Sequence, residues 1–74
     1  MNWGDRQAER YLRELQHAIE TVAADPGTGR ACDDIRPGYR RYPVGSHVLF
    51  FRLVGGVIDI VRILHQRMGF ARHL

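Results

Sequence analysis

The stretch "SHVLFFRLVGGVIDIVRILH", residues 46–65, constrains this chain more than any other. Two runs rich in β-branched and aromatic residues flank Gly55-Gly56, which predicts strands over 46–54 and 57–65. A two-residue glycine turn of type I′ would set their register. Val54 then faces Val57, Arg52 faces Asp59, Phe50 faces Val61, Val48 faces Ile63, and His65 falls opposite Ser46. Arg52 and Asp59 become a cross-strand ion pair on one face. The other face carries Leu49, Phe51, Leu53, Ile58, Ile60 and Leu64, interrupted by Arg62. Both faces are largely apolar, so each needs a cover.

One cover lies upstream. In "NWGDRQAERYLRELQHAIETVAADPG" the apolar positions Ala8, Tyr11, Leu12, Leu15, Ile19, Val22 and Ala23 follow the i, i+3, i+4, i+7 rule of an amphipathic helix. Arg6, Arg10, Arg13, Glu14, His17 and Glu20 fall mostly on the opposite side. Asn2 or Asp5 can cap the start, Pro26-Gly27 ends the helix, and Arg10 and Glu14 form an i,i+4 pair. The helix is expected over about 4–24. "DPGTGRACDDIRPG" is loop by composition. "YRRYPV", residues 39–44, is a third strand, and Pro43 places it at a sheet edge because proline has no N–H to give a neighbour. The expected architecture is α+β: one amphipathic helix on a three-stranded antiparallel meander, a single domain over 1–74 with a tail over 66–74.

This arrangement leaves the strand 57–65 with a free side. It is the most apolar strand of the chain, and a long apolar edge invites pairing with other chains. Another strand is expected there, from residues outside this sequence or from a second chain.

Seventy-four residues allow one domain at most, and a chain this short has a marginal core. Cys32 is the only cysteine, so no disulfide is possible within the chain, and one Cys with four scattered His gives no zinc set. No apolar run approaches the ~20 residues of a membrane span. A soluble cytoplasmic protein with no cofactor and no metal is expected. The charge is unevenly spread: residues 1–35 hold four Arg against seven acids, and residues 36–74 hold seven Arg against Asp59 alone. A basic C-terminal half favours an acidic or polyanionic partner. All eleven cations are Arg, whose planar fork suits phosphate or carboxylate.

"GDRQAERYLREL" with "IRPGYRRYPVGSHVLFFR" and "VRILHQRM…RHL" resembles the ParE toxins of the RelE/ParE toxin–antitoxin superfamily. The resemblance covers the whole chain, and the linked blocks Arg36-Pro37-Gly38 and His65-Gln66-Arg67-Met68 carry most of it. It implies a RelE/ParE-like fold in which a first strand and a first helix precede the segment "NWG", the first strand lying beside the last. By that comparison the chain looks N-terminally truncated. The resemblance also implies a toxin kept silent by a ParD-like antitoxin and directed at DNA gyrase. RelE relatives instead cleave mRNA on the ribosome, and a shortened toxin that only binds antitoxin is a third reading.

An RNase of this fold needs a general base, a general acid and phosphate-gripping cations. The candidates are His65, His73, Arg62, Arg67 and Arg41. The mRNA-cleaving relatives use a Lys and Arg cluster, often with a C-terminal Tyr, and this chain has no Lys and no Tyr after Tyr42. No catalytic residue is therefore assigned. A gyrase-directed surface needs only Arg anchors, and the target-binding candidates are Arg41, Arg62, His65, Arg67 and Arg72. Arg62 has a structural alternative, a pair with Glu14 or Glu20 of the helix, and Arg40 and Arg41 read equally as solvated charges. Phe70 and Leu74 can pack back on the sheet as a capping turn. For the antitoxin the candidates are Tyr11, Leu12, Leu15 and Ile19, an apolar stripe lacking a neighbouring helix. A homo-oligomer through the exposed sheet edge is the remaining partner expectation.

Overall fold

The computed structural model describes residues 3–74, with side chains from Arg6 onward. The capping roles expected of Asn2 and Asp5 lie outside the described residues. Helix α1 spans Trp3–Ala24. Its inward line is Tyr11, Leu15, Ala18, Ile19 and Val22, with Ala18 and Val22 buried. Ala8, Leu12 and Ala23, expected on that line, are exposed instead. The buried line is thus centred on Ala18, whose small side chain lets the helix approach the sheet. The i,i+4 contact on the outer side joins Glu9 to Arg13 at 4.0 Å rather than Arg10 to Glu14.

The helix ends at the proline, as expected. The side chain of Asp25 accepts from the Gly27 N–H at 3.0 Å and caps a 3-10 turn over Pro26–Thr28. Strand β1, Arg30–Ala31, follows directly. The sheet therefore has four antiparallel strands in the order β1-β2-β3-β4, with β2 at Tyr39–Val44, β3 at His47–Val54 and β4 at Val57–His65. The expected count of three misses β1 because two residues carry no periodicity to read. β1 covers only Arg40 and Arg41 of β2, so Pro43 stands where β2 has no neighbour on that side. Gly45 (φ 59°) and Gly55 and Gly56 (φ 59° and 81°) make the two hairpin turns, conformations that L side chains rarely adopt.

The β3–β4 register begins as expected, with Val54 opposite Val57 and Arg52 opposite Asp59. A β-bulge then intervenes: Phe51 pairs with Ile60, but Phe50 pairs with Arg62. Val61 is the extra residue. Beyond it every partner shifts by one, so Val48 faces Leu64 and His65 faces His47, not Ile63 and Ser46. The shift also exchanges faces, because side chains alternate along a strand. Arg62 and Leu64 leave the helix side, and Ile63 joins it.

Two small cores result. Ala18 and Val22 of α1 pack with Val44, Leu49 and Phe51, extended by Ile58, Ile60 and Ile63. On the opposite face Cys32, Phe50 and Leu64 form a second cluster, extended by Ile35, Phe70 and Leu74. The second cover is thus the 32–38 loop together with a final helical turn, α2, over Phe70–His73. β4 is the outer strand, with no strand on its far side among the described residues.

Candidate basic surface

The face of the sheet away from α1 carries a row of side chains across all four strands. Arg30 of β1 pairs with Arg41 of β2, Arg41 with Phe50 of β3, and Phe50 with Arg62 of β4. Residues directly opposite in an antiparallel pair share a face. Arginine therefore stands at both ends of a row centred on Phe50, which is fully buried. Phe70 covers Phe50 edge-on, with ring centroids 4.9 Å apart at 68°. The tail is tied to the row by the Arg62 Nε–H, which donates to the carbonyl of His73 at 3.1 Å.

Arg30 and Arg41 are like charges on neighbouring strands, an arrangement that costs stability. Neither joins an ion pair among the described residues. They border a cleft of about 470 Å³ lined also by Thr28, Tyr42, Pro43, Val48 and Phe70. Arg67 and Arg72 are exposed in the tail, outside any ion pair among the described residues. On the same face Arg52 is already engaged: its Nε–H donates to Asp59 Oδ2 at 2.9 Å, and that bond pushes the Arg52 pKa further up from its ordinary value.

The bulge explains why Arg62 belongs to this surface and pairs with neither Glu14 nor Glu20, which lie on α1 across the sheet. Arg40 is likewise not a free charge. Its Nε–H donates to the carbonyls of Pro26 and Gly29 at 3.0 and 3.1 Å, and its Nη2–H to Gly29 at 2.8 Å. It pins the 3-10 turn to β2. Sequence reading had no signal for this, since the acceptors are main-chain carbonyls. Arg30 was also missed, because only the short β1 places it beside Arg41.

His65 separates from the arginines. It sits on the α1 side, its ring 5.3 Å from His47, which in turn lies 5.2 Å from Tyr11. Its Nδ1 accepts the Arg67 N–H at 3.1 Å and so shapes the turn into the tail. Of the apolar stripe on α1, Leu12 is 60% exposed, Tyr11 and Leu15 are half-buried, and Ile19 packs on the chain's own core.

A family model described as "ParE toxin of type II toxin-antitoxin system, parDE" matches residues 1–70. The chain belongs to the ParE toxin family. Among ParE relatives, Toxin ParE1 of Mycobacterium tuberculosis is 64% identical over 73 residues, covering 97% of this chain and 74% of the relative. Toxin ParE1 of Caulobacter vibrioides is 50% identical over 72 residues, with 97% and 74% covered. Toxin ParE of Escherichia coli is 30% identical over 73 residues, with 97% and 71% covered. The chain is thus a ParE-type toxin component of a type II toxin–antitoxin system, spanning about three quarters of the length of these relatives.

Proposed function

We propose that this ParE-family chain acts on DNA gyrase through its basic surface and is silenced by a ParD-like antitoxin. The observation that carries the reading is the row from Arg30 and Arg41 to Arg62. Among the described residues it offers guanidinium groups without carboxylate partners around an aromatic pair, Phe50 and Phe70. Arg with aromatic neighbours is the composition of an interface anchor. Arg67 and Arg72 extend the basic rim, and His65 positions the turn that presents Arg67. The antitoxin contact falls on α1 around the exposed Leu12, with Tyr11 and Leu15 beside it, and Ile19 supports that surface from the core.

The separating experiment is a supercoiling assay with purified gyrase, run beside a ribosome-dependent mRNA cleavage assay. Expected is loss of supercoiling with intact mRNA, and relief of the inhibition in an Arg41→Glu/Arg62→Glu variant. Cleaved mRNA with unaffected gyrase would overturn the reading in favour of an RNase. No effect in either assay, with retained antitoxin binding, would leave a chain that only binds antitoxin. For the antitoxin half, Leu12→Asp should weaken capture by a ParD-like peptide about tenfold or more.

A further inference from the structure

We propose that the cleft between β1, β2 and α2 binds a phosphate monoester dianion carried on a flat ring, the chemistry of a nucleoside monophosphate. This goes beyond the toxin reading and does not rest on it, because the test contains no gyrase.

The strands carry five arginines, and three of them are engaged. Arg40 donates to main-chain carbonyls, Arg52 to Asp59 and Arg62 to the His73 carbonyl. Arg30 and Arg41 are the two without an ion pair among the described residues, and they stand directly opposite each other. Like charges so placed repel. Asp33 and Asp34 lie in the loop beside Cys32, and neither answers them. Asp33 Oδ1 accepts the Gly38 N–H at 2.8 Å instead. Two opposed guanidinium groups bring two positive charges. A phosphate monoester carries close to two negative charges at pH 7, with an oxygen to offer each fork. A carboxylate would cancel only one.

The rest of the cleft is mainly apolar. Pro43 follows Arg41 on the same face of β2, and Val48 stands opposite Pro43. Phe70 of α2 forms one wall. Thr28 forms another, but its hydroxyl already donates to the Asp25 carbonyl at 2.8 Å. Two cations beside apolar walls, in a cleft of about 470 Å³, suit an anionic head on a ring-sized body. The walls are fixed before a ligand arrives. Arg40 ties the turn that carries Thr28 to β2, and the Phe70 ring rests on Phe50. Such preorganisation lowers the cost of binding. None of the lining residues belongs to α1 or β4.

The test uses the whole translated chain, with any residues its reading frame adds to these 74, and neither gyrase nor antitoxin. Titrated with adenosine 5′-monophosphate, it should bind with a Kd below ~1 mM. The amide resonance shifts should concentrate at Arg30, Arg41, Val48 and Phe70. Inorganic phosphate lacks the ring, adenosine lacks the charge, and adenosine 3′,5′-cyclic monophosphate keeps the ring with a single charge. Each should bind ~tenfold or more weakly than the monophosphate. A 5′-phosphorylated dinucleotide tells a strand end from a free nucleotide: binding no tighter than the mononucleotide assigns the free nucleotide, and tighter binding a strand end. Arg30→Gln and Arg41→Gln should each weaken the monophosphate ~tenfold. Arg67→Gln, in the tail outside the cleft, should leave it within ~twofold at physiological salt. No saturable binding up to ~10 mM would overturn the proposal. So would equal binding of any of the three simpler probes, shifts spread over Arg67 and Arg72, or an equal loss in Arg67→Gln. The shift mapping and the probe series need no variant, so they decide the matter even where a variant fails to fold.

Discussion

Phe50 stands opposite Arg62 across β3 and β4, one residue later than a regular ladder from Gly55-Gly56 would place it. That single displacement decides which face of the sheet carries Arg62. Without it the guanidinium would enter the isoleucine-rich core under α1, where an unpaired charge is costly. With it Arg62 joins Arg41 on the basic surface and holds the carbonyl of His73. Arg62→Ala should therefore loosen the tail without unfolding the domain. One such bond is worth about 0.5–1.5 kcal/mol. Amide exchange over residues 70–74 should accelerate by a factor of about three to ten, with little change in the urea midpoint. An unchanged tail would mean that Phe70 and Leu74 hold it alone.

Gly29 is required for closeness rather than for backbone freedom. Its φ of −77° suits any residue. A Cβ at this position, however, would clash with the Phe51 ring, standing 2.6 Å from Cε1. Phe51 is fully buried and has little room to turn. Gly29→Ala should cost about 1–3 kcal/mol in urea unfolding, the usual range for overpacking. A second change, Phe51→Leu, makes room, so the double variant should lose less than the two single losses together.

Most of the architecture could be read from the sequence pattern, since α1, β3 and β4 each carry long apolar runs or stripes and the short β2 sits between turn-forming residues. The Arg52–Asp59 pair followed from the glycine turn alone. The packing of Phe70 and Leu74 followed from reading the tail as a capping turn, although Met68 in the same tail stays exposed. Three things were not legible, for different physical reasons. The bulge at Val61 has no local signature, because every residue around it suits a regular strand. β1 is too short to show an alternation. Arg40 bonds to carbonyls, which every residue possesses, so nothing in the sequence marks its partners. The basic surface was accordingly half visible: Arg41, Arg62, Arg67 and Arg72 from charge layout, but neither Arg30 nor the separation of His65 from the set.

Arg40 joins the 3-10 turn to β2 through three hydrogen bonds on two carbonyls, all partly buried. Arg40→Gln keeps a donor but cannot reach both acceptors. Hydrogen bonds to charged groups are worth about 1.5–3 kcal/mol. The loss should fall in that range, with Arg30 and Ala31 amides exchanging faster as β1 detaches. Arg41→Gln, two strand faces apart in role, should leave stability within about 0.5 kcal/mol, because Arg41 has no such bonds to lose. The contrast between these adjacent arginines separates scaffold from surface in one pair of unfolding curves.

Cys32 lies fully buried beneath Phe50 and Leu64. Burial pushes its thiol pKa up from an ordinary value near 9.0, against the opposing pull of Arg41 and with Asp34 and Asp33 adding to the rise. In the unfolded chain the thiol ionises near 9.0, and in the folded chain it stays protonated to higher pH. The stabilisation this gives is fully present below about pH 9 and is lost as pH rises through the folded value. Cys32→Ala lacks that dependence but leaves a small cavity, costing about 1–2 kcal/mol at neutral pH. The stability gap between the native chain and the variant should therefore shrink as pH is raised from 8 to 11. Thiol reagents should label Cys32 at the rate of unfolding at pH 8, since the reactive thiolate is out of reach in the fold. A constant gap, or labelling faster than unfolding, would show that the loop over residues 32–38 opens without the rest of the domain.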